Sequence, residues 1–392
     1  MERPAGQRVT LPHPELAEAT IAELRRRLDA DELTAATLAN QFRERIEAVN
    51  ARGPAIRAVL ELNPDAEAIA VERDRERAAG RMRGPLHGIP VFVKDNVATA
   101  DRMETAAGSL ALLGAKPRQD AHIARRLRDA GAVILGKTNL SEWSNFRSLR
   151  SSGGWSGRGG QTLNPYALDA TPCGSSSGSG TAIAAGLAAA AVGTDTDGSI
   201  VCPAASNAIV GLRPTVGLTS RAGVIPIAHS QDTVGPMART VADAAIMLTA
   251  LAGSDPADPA TSGAPSLDYT AFLAPDGLRG ARLGVPRDVY WGYSPPADAI
   301  AAEALALMRE LGAEVIDPAD IPTAPDLSRG WPPSDDSALT VLLYEFKADI
   351  NAYLAGLGEG TTMRSLADLI AFNDAHAAAE MPYFGQELFI KA

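Results

Sequence analysis

Apolar positions follow two rhythms along this chain. From residue 14 to 51, and again from Ala66 to Ala79, they recur every three to four residues with Arg and Glu between them. That spacing predicts helices that bury one face. Ile89 to Val93 and Ala132 to Leu135 are instead short, unbroken apolar runs, the pattern of strands covered on both sides. Gly84-Pro85 stops the helical pattern before the first strand, and Ala121 to Asp129 predicts a helix before the second. Helices alternating with buried strands imply an α/β sheet.

The rhythm lapses between 148 and 180, where Ser, Gly, Asn and Pro dominate. A loop of that length inside a compact domain points to function. After a linker-like stretch at 253–265, Leu278 to Pro286 and Ala313 to Ile316 predict strands around a helix at Asp298 to Leu311. A Pro-rich loop follows (Asp317 to Asp336), then helices over Leu339 to Leu354 and Met363 to Glu380. We divide the chain into a helical region (1–83), a core (84–252) and the remainder of the same α/β domain (253–392).

Composition narrows the classes. With 392 residues, 46% hydrophobic and 21% charged, the chain can bury a large core. A formal charge of −11 argues against a nucleic-acid partner, which needs clustered Lys and Arg. The arginines that do cluster (Arg25 to Arg27; Arg73, Arg75, Arg77; Arg125, Arg126, Arg128) stand beside Glu and Asp, and read as solvated helix faces. No apolar stretch is long enough to span a bilayer and the amino terminus has no signal-peptide core, so a cytoplasmic protein without a membrane partner is expected. Two cysteines make no disulfide framework, and Cys173 and Cys202 are expected to be small buried thiols. The five histidines (His13, His87, His122, His229, His376) are scattered, so neither a metal site nor a cofactor is expected.

The chemistry concentrates in three segments. Lys94 ends the apolar run Val91-Phe92-Val93. Ser175 lies in Cys173-Gly174-Ser175-Ser176-Ser177-Gly178-Ser179, and Ser199 ends Gly193-Thr194-Asp195-Thr196-Asp197-Gly198-Ser199. A helix over 179–190 would carry the chain roughly 18 Å away from Ser175, and an extended return over 191–195 would cover about 17 Å, so the two serines can meet. A lysine desolvated between apolar strands loses proton affinity and becomes a candidate base. In this arrangement Ser175 relays a proton between Lys94 and Ser199. The N–H groups of Thr196, Asp197, Gly198 and Ser199 could surround a carbonyl oxygen, with Ser176 and Asp195 in support. Rival assignments are Lys137 as base, a Ser199–His229–Asp232 set, which lacks a Gly-x-Ser-x-Gly elbow, and Cys202 as nucleophile, which lacks a nearby base.

These segments together resemble the amidase signature family. The resemblance implies that family's fold, a central mixed β-sheet with helices on both faces, and its Ser–cisSer–Lys triad. Ser199 matches the nucleophile, Ser175 the serine with the cis peptide bond, and Lys94 the base. The likeness runs from about residue 30 to the end, and includes Gly211 to Gly217 and Asp232 to Arg239 as scaffold. Asp197 stands where the family usually has Gly, and Val201-Cys202 follow Ile200 where an Arg is usual. With Arg158 to Thr162 and Leu343 to Lys347, this variant looks most like bacterial peptide amidases, which release ammonia from C-terminal peptide amides. The implied substrate is a peptide or small-molecule amide, hydrolysed through an acyl-enzyme. Alternatives are the glutaminase subunit of a tRNA-dependent amidotransferase, a hydrolase of fatty or aryl amides, or an inactive truncated paralogue. Family members extend further, so the resemblance also implies that the last strands of the sheet are missing here.

Overall fold

The computed structural model describes residues 11–327, 337–358 and 360–392; part of the expected Pro-rich loop lies outside them. Its centre is a six-stranded mixed sheet: β1 (Val59–Leu62), β2 (Pro90–Lys94), β3 (Val133–Thr138), β4 (Ala190–Asp195), β5 (Val210–Gly211) and β6 (Thr233–Ala238). The spatial order is β1-β3-β2-β4-β6-β5. Strands β3, β2 and β4 run parallel, while β1, β6 and β5 pair antiparallel to their neighbours. Every residue of β2, β3, β4 and β6 is buried. Because successive side chains point to opposite faces, both faces of the sheet are covered, as the unbroken apolar runs require.

The covering helices begin where the chain offers a cap. Thr20 Oγ1 accepts the Glu23 N–H at the start of α1 (Ile21–Asp29), and Thr34 Oγ1 accepts that of Thr37 at α2 (Ala35–Val49). Helices α3 (Ala66–Ala78), α4 (His122–Asp129), α5 (Ser177–Ala184), α6 (Val201–Ser206) and α7 (Val241–Leu251) follow. On α4, Ile123, Ala124 and Leu127 are buried, as its spacing predicts. The clustered arginines are not all solvated. Arg25 is buried, and its guanidinium donates to the His87 carbonyl at 2.8 Å, because α1 lies close enough for the long side chain to reach that backbone oxygen.

The compact units are Met1–Asp268 with Leu343–Ala392, and Tyr269–Leu342; the three segments drawn from the sequence do not coincide with them. In the smaller unit, strands β7 (Arg282–Gly284) and β8 (Glu314–Ile316) pair in parallel, with α8 (Pro295–Glu310) between them in the chain. Among the described residues no helix is long and apolar enough to cross a membrane.

Candidate active site

The sheet brings the chemistry to one edge. Strands β2 and β4 are parallel, with Val93 opposite Val192, so Lys94 and Thr194 leave the sheet at the same end. Strand β6 is antiparallel to β4 and pairs Thr233 with Asp195, so it starts where β4 finishes. One edge of three neighbouring strands therefore collects Lys94, Thr194, Asp195, Asp232 and Thr233. This is the carboxyl edge of the parallel strands, where α/β sheets place their ligands.

Lys94 is fully buried. Its Nζ is hydrogen-bonded to Ser175 Oγ at 2.7 Å and to Thr194 Oγ1 at 2.8 Å, with the Thr194 carbonyl at 3.4 Å. Burial pushes its pKa down to about 7, against the opposing pull of Asp195 and Asp232. Thr194 Oγ1 also accepts the Asn96 Nδ2–H at 3.0 Å. With its lone pair toward Ser175, a neutral lysine keeps two N–H groups for the threonine.

The Gly174–Ser175 peptide bond is cis. The Ser175 carbonyl accepts the Ser141 N–H at 3.0 Å, and the Ser176 N–H donates to the Ser199 carbonyl at 3.0 Å. Ser176 Oγ adds a bond to the Thr194 carbonyl at 3.1 Å. The turn and the Ser199 loop are thus joined through backbone. A glycine is required at 174, because a Cβ there would collide with Ser141 Oγ.

The loop after β4 is organised by Asp195, whose carboxylate accepts the Gly198 N–H at 2.8 Å and the Ile200 N–H at 2.6 Å. This corrects one expectation: the Gly198 N–H is turned to Asp195 and does not join an oxyanion-binding set, because the carboxylate reaches back over its own loop. Arg213 Nε holds the same carboxylate at 3.0 Å, and its Nη2 donates to the carbonyls of Thr196 and Gln231. Asp197 is exposed and Ser199 is 7% exposed.

The rival assignments dissolve in the geometry. Lys137 is buried and donates to the Val97 carbonyl at 2.5 Å and Thr105 Oγ1 at 2.9 Å. Burial moves its pKa down and that of its neighbour Asp95 up, each against the pull of the other's charge. His229 is engaged with two carboxylates. Its Nδ1 lies 2.9 Å from Asp349 and its Nε2 3.5 Å from Glu345. One ligand atom from each of His229, Glu345 and Asp349 lies within 4.8 Å of the others. Asp232 instead accepts Thr196 Oγ1–H at 2.5 Å and the N–H groups of Ile227 and Ala228.

The cysteines overturn their expectation. Cys173 and Cys202 form a disulfide, with Cα atoms 5.9 Å apart. Cys202 is exposed, so neither the pairing nor the environment is that of two small buried thiols. Their 29-residue separation is closed by the same turn, helix and strand that bring Ser176 to Ser199. Cysteine count alone carries no such information. Sequence reasoning also passed over Thr194, and treated Arg213 and Asp232 as scaffold. The signal available was their place beside the strand ends within the quoted motifs.

A buried lysine on a serine at the carboxyl edge of a mixed sheet, with a second serine's loop bonded to the same turn, defines a hydrolase of the amidase class. The Amidase family model matches residues 37–368, and the chain belongs to that family. The structure of native peptide amidase from Stenotrophomonas maltophilia is similar, with a TM-score of 0.90 and 54% identity, covering 96% of this chain and 75% of that one. A probable amidase from Arabidopsis thaliana is 44% identical over 384 residues, 96% of this chain and 72% of its own length. A glutamyl-tRNA(Gln) amidotransferase subunit from Chloroflexus aurantiacus is 42% identical over 306 residues, 77% of this chain and 61% of that protein. The chain therefore spans about three-fifths to three-quarters of the length of these relatives.

Proposed function

We propose that this chain hydrolyses C-terminal peptide amides and releases ammonia. The observation that carries the reading is Lys94, buried, drawn toward neutrality and bonded to Ser175; the likeness to peptide amidase supports the substrate class. In the first step Ser199 Oγ attacks the amide carbonyl carbon. Its proton passes to Ser175 Oγ as Ser175 gives its own to Lys94 Nζ. N–H groups of the Thr196–Ser199 loop, Gly198 apart, stabilise the oxygen as it gains charge. Return of the proton through Ser175 to the departing nitrogen frees ammonia and leaves an ester on Ser199. Water, deprotonated by the same relay, then cleaves that ester.

The test is ammonia release from a short C-terminally amidated peptide, with Ser199→Ala as the blank. Release by the wild type alone is expected, and equal release by both would sink the assignment. The amidotransferase relatives favour one second reading, glutamine as ammonia donor. Release from glutamine but not from the peptide amide would select it.

A further inference from the structure

The segment that leads into Ser175 is tied to both ends of α6, the helix that follows Ser199. At the far end of α6, Asn207 Nδ2 donates to the Pro172 carbonyl at 2.9 Å, and Asn164 Nδ2 to the Ser206 carbonyl at 2.7 Å. At the end next to Ser199 the tie is covalent, the Cys173–Cys202 disulfide. Cys202 lies in the first turn of α6, and its N–H donates to the Gly198 carbonyl at 2.9 Å. Cys173, two residues before Ser175, has a φ of 55°, in the left-handed region that costs energy for a residue with a Cβ. Its N–H donates to Thr171 Oγ1 at 3.0 Å and its carbonyl accepts Ser177 Oγ–H at 2.6 Å. Those two bonds stay within the turn, whereas the disulfide leaves it for the Ser199 side.

We propose that this disulfide positions Ser175 and Ser199 for the reaction, and that a dithiol reductant slows the enzyme by opening it. The inference rests on the reading of Ser199 as the nucleophile and Ser175 as its proton relay. Proton transfer between two hydroxyls needs them within hydrogen-bond reach. The two segments share one backbone bond, Ser176 N–H to the Ser199 carbonyl, about which they can pivot. The disulfide is a second tie that fixes their orientation and holds Cys173 in its left-handed conformation. Cys202 is exposed and Cys173 half-buried, and exposed disulfides are the ones that thiols open. A thiolate of the dithiol attacks Cys202 Sγ, the bond to Cys173 breaks, and Cys173 leaves as a thiolate that takes up a proton. The second sulfur of the dithiol then attacks the mixed disulfide, closes a disulfide within the reductant and releases Cys202 as a thiol. Two electrons pass from dithiol to protein. The chain has two cysteines, so the reductant has one target. Full activity then belongs to oxidising surroundings, where disulfides persist.

Two readouts test this: the rate at which a fluorophosphonate labels Ser199, which needs no amide substrate, and ammonia release from an amidated peptide. The full chain is assayed oxidised, then reduced with dithiothreitol until both cysteines are free by alkylation and mass, then reoxidised. All three are held well below the melting midpoint of the reduced form, so that unfolding does not imitate the effect. Reduction should slow labelling and kcat by about tenfold or more and leave KM within about twofold, and reoxidation should restore both rates. Cys202→Ser should be slow to the same degree and indifferent to the dithiol. Unchanged labelling in the fully reduced chain overturns the proposal, and so does a rise in KM alone or a loss that Cys202→Ser escapes. Should Cys202→Ser fail to fold, the reduced wild type, which folded with its disulfide closed, decides by itself. Failure of the functional reading is distinguishable: the oxidised wild type would then be labelled but release no ammonia from the peptide, and the labelling rates would still judge the disulfide. An oxidised wild type that takes no label sinks the nucleophile reading and this proposal together.

Discussion

At the scale of single residues, the consequence of burying Lys94 is a pH dependence. With a pKa of about 7, its neutral fraction rises roughly tenfold between pH 6 and 8, so kcat/KM should rise through that range by a similar factor. A flat profile would show that a deprotonated lysine is not needed. Ser199→Ala and Lys94→Ala should each lower turnover by at least about a thousandfold. Thr194→Val is a subtler probe. It strips an acceptor from both Lys94 Nζ and Asn96 Nδ2, and leaving buried donors unpaired costs about 1–3 kcal/mol. A lowered unfolding midpoint together with reduced kcat is expected. Lys94, Ser175 and Ser199 were readable as candidates because each belongs to a recognisable local pattern. Arg213 was not, since its partners are a carboxylate and carbonyls on two other loops.

At the scale of elements, the helix α5 and the strand β4 form a lever that returns the chain to its starting point. The disulfide closes that lever, tying Cys173, two residues before Ser175, to Cys202, three after Ser199. A cross-link over 29 residues stabilises by roughly 3 to 4 kcal/mol in the chain-entropy model. Denaturant unfolding of Cys202→Ser beside the wild type, under non-reducing conditions, should show a loss of that order. Gly178, at the start of α5, is equally constrained. A Cβ there would collide with the Ala58 carbonyl and meet the Asn139 backbone at 2.5 Å, so Gly178→Ala should push α5 off the sheet. Overpacking of this kind costs about 1–3 kcal/mol, visible as a lower melting temperature. Strand β6 escaped the sequence reading because Gly235 and Pro236 break its apolar run. In the sheet, Pro236 sits opposite Val192 and still accepts the Leu212 N–H, so only its missing donor is lost.

At the scale of the molecule, the carboxyl-terminal helices are anchored by a buried acid cluster. Glu142, Arg147 and Glu380 are all fully or almost fully buried. The Glu380 carboxylate accepts Ser109 Oγ–H and the Leu110 N–H, and its carbonyl accepts Arg147 Nη1–H. Burial, then the neighbouring Glu380, hold the Glu142 carboxyl well above its usual range, against Arg147. An acid that binds its proton more tightly when folded loses stability as pH rises from its unfolded value toward its folded one. Glu142→Gln, which cannot ionise, should therefore gain on the wild type by up to about 1.4 kcal/mol per pH unit above pH 5. Urea midpoints of the two proteins at pH 5 and 7 check this, and a constant difference would show that Glu142 does not titrate.

What the sequence determined by itself was local: apolar runs that must be strands, amphipathic stretches that must be helices, and three loops whose residue types suit amide hydrolysis. Those follow from burial and backbone geometry over a few residues, which is all a periodicity can encode. The tertiary structure alone decided the rest. It set the antiparallel return of β6 that delivers Asp232 and Thr233 behind the lysine, spent the Gly198 N–H on Asp195, and joined Cys173 to Cys202. Each of these depends on which distant segments share an edge of the sheet, a matter of pairing register that no local pattern contains.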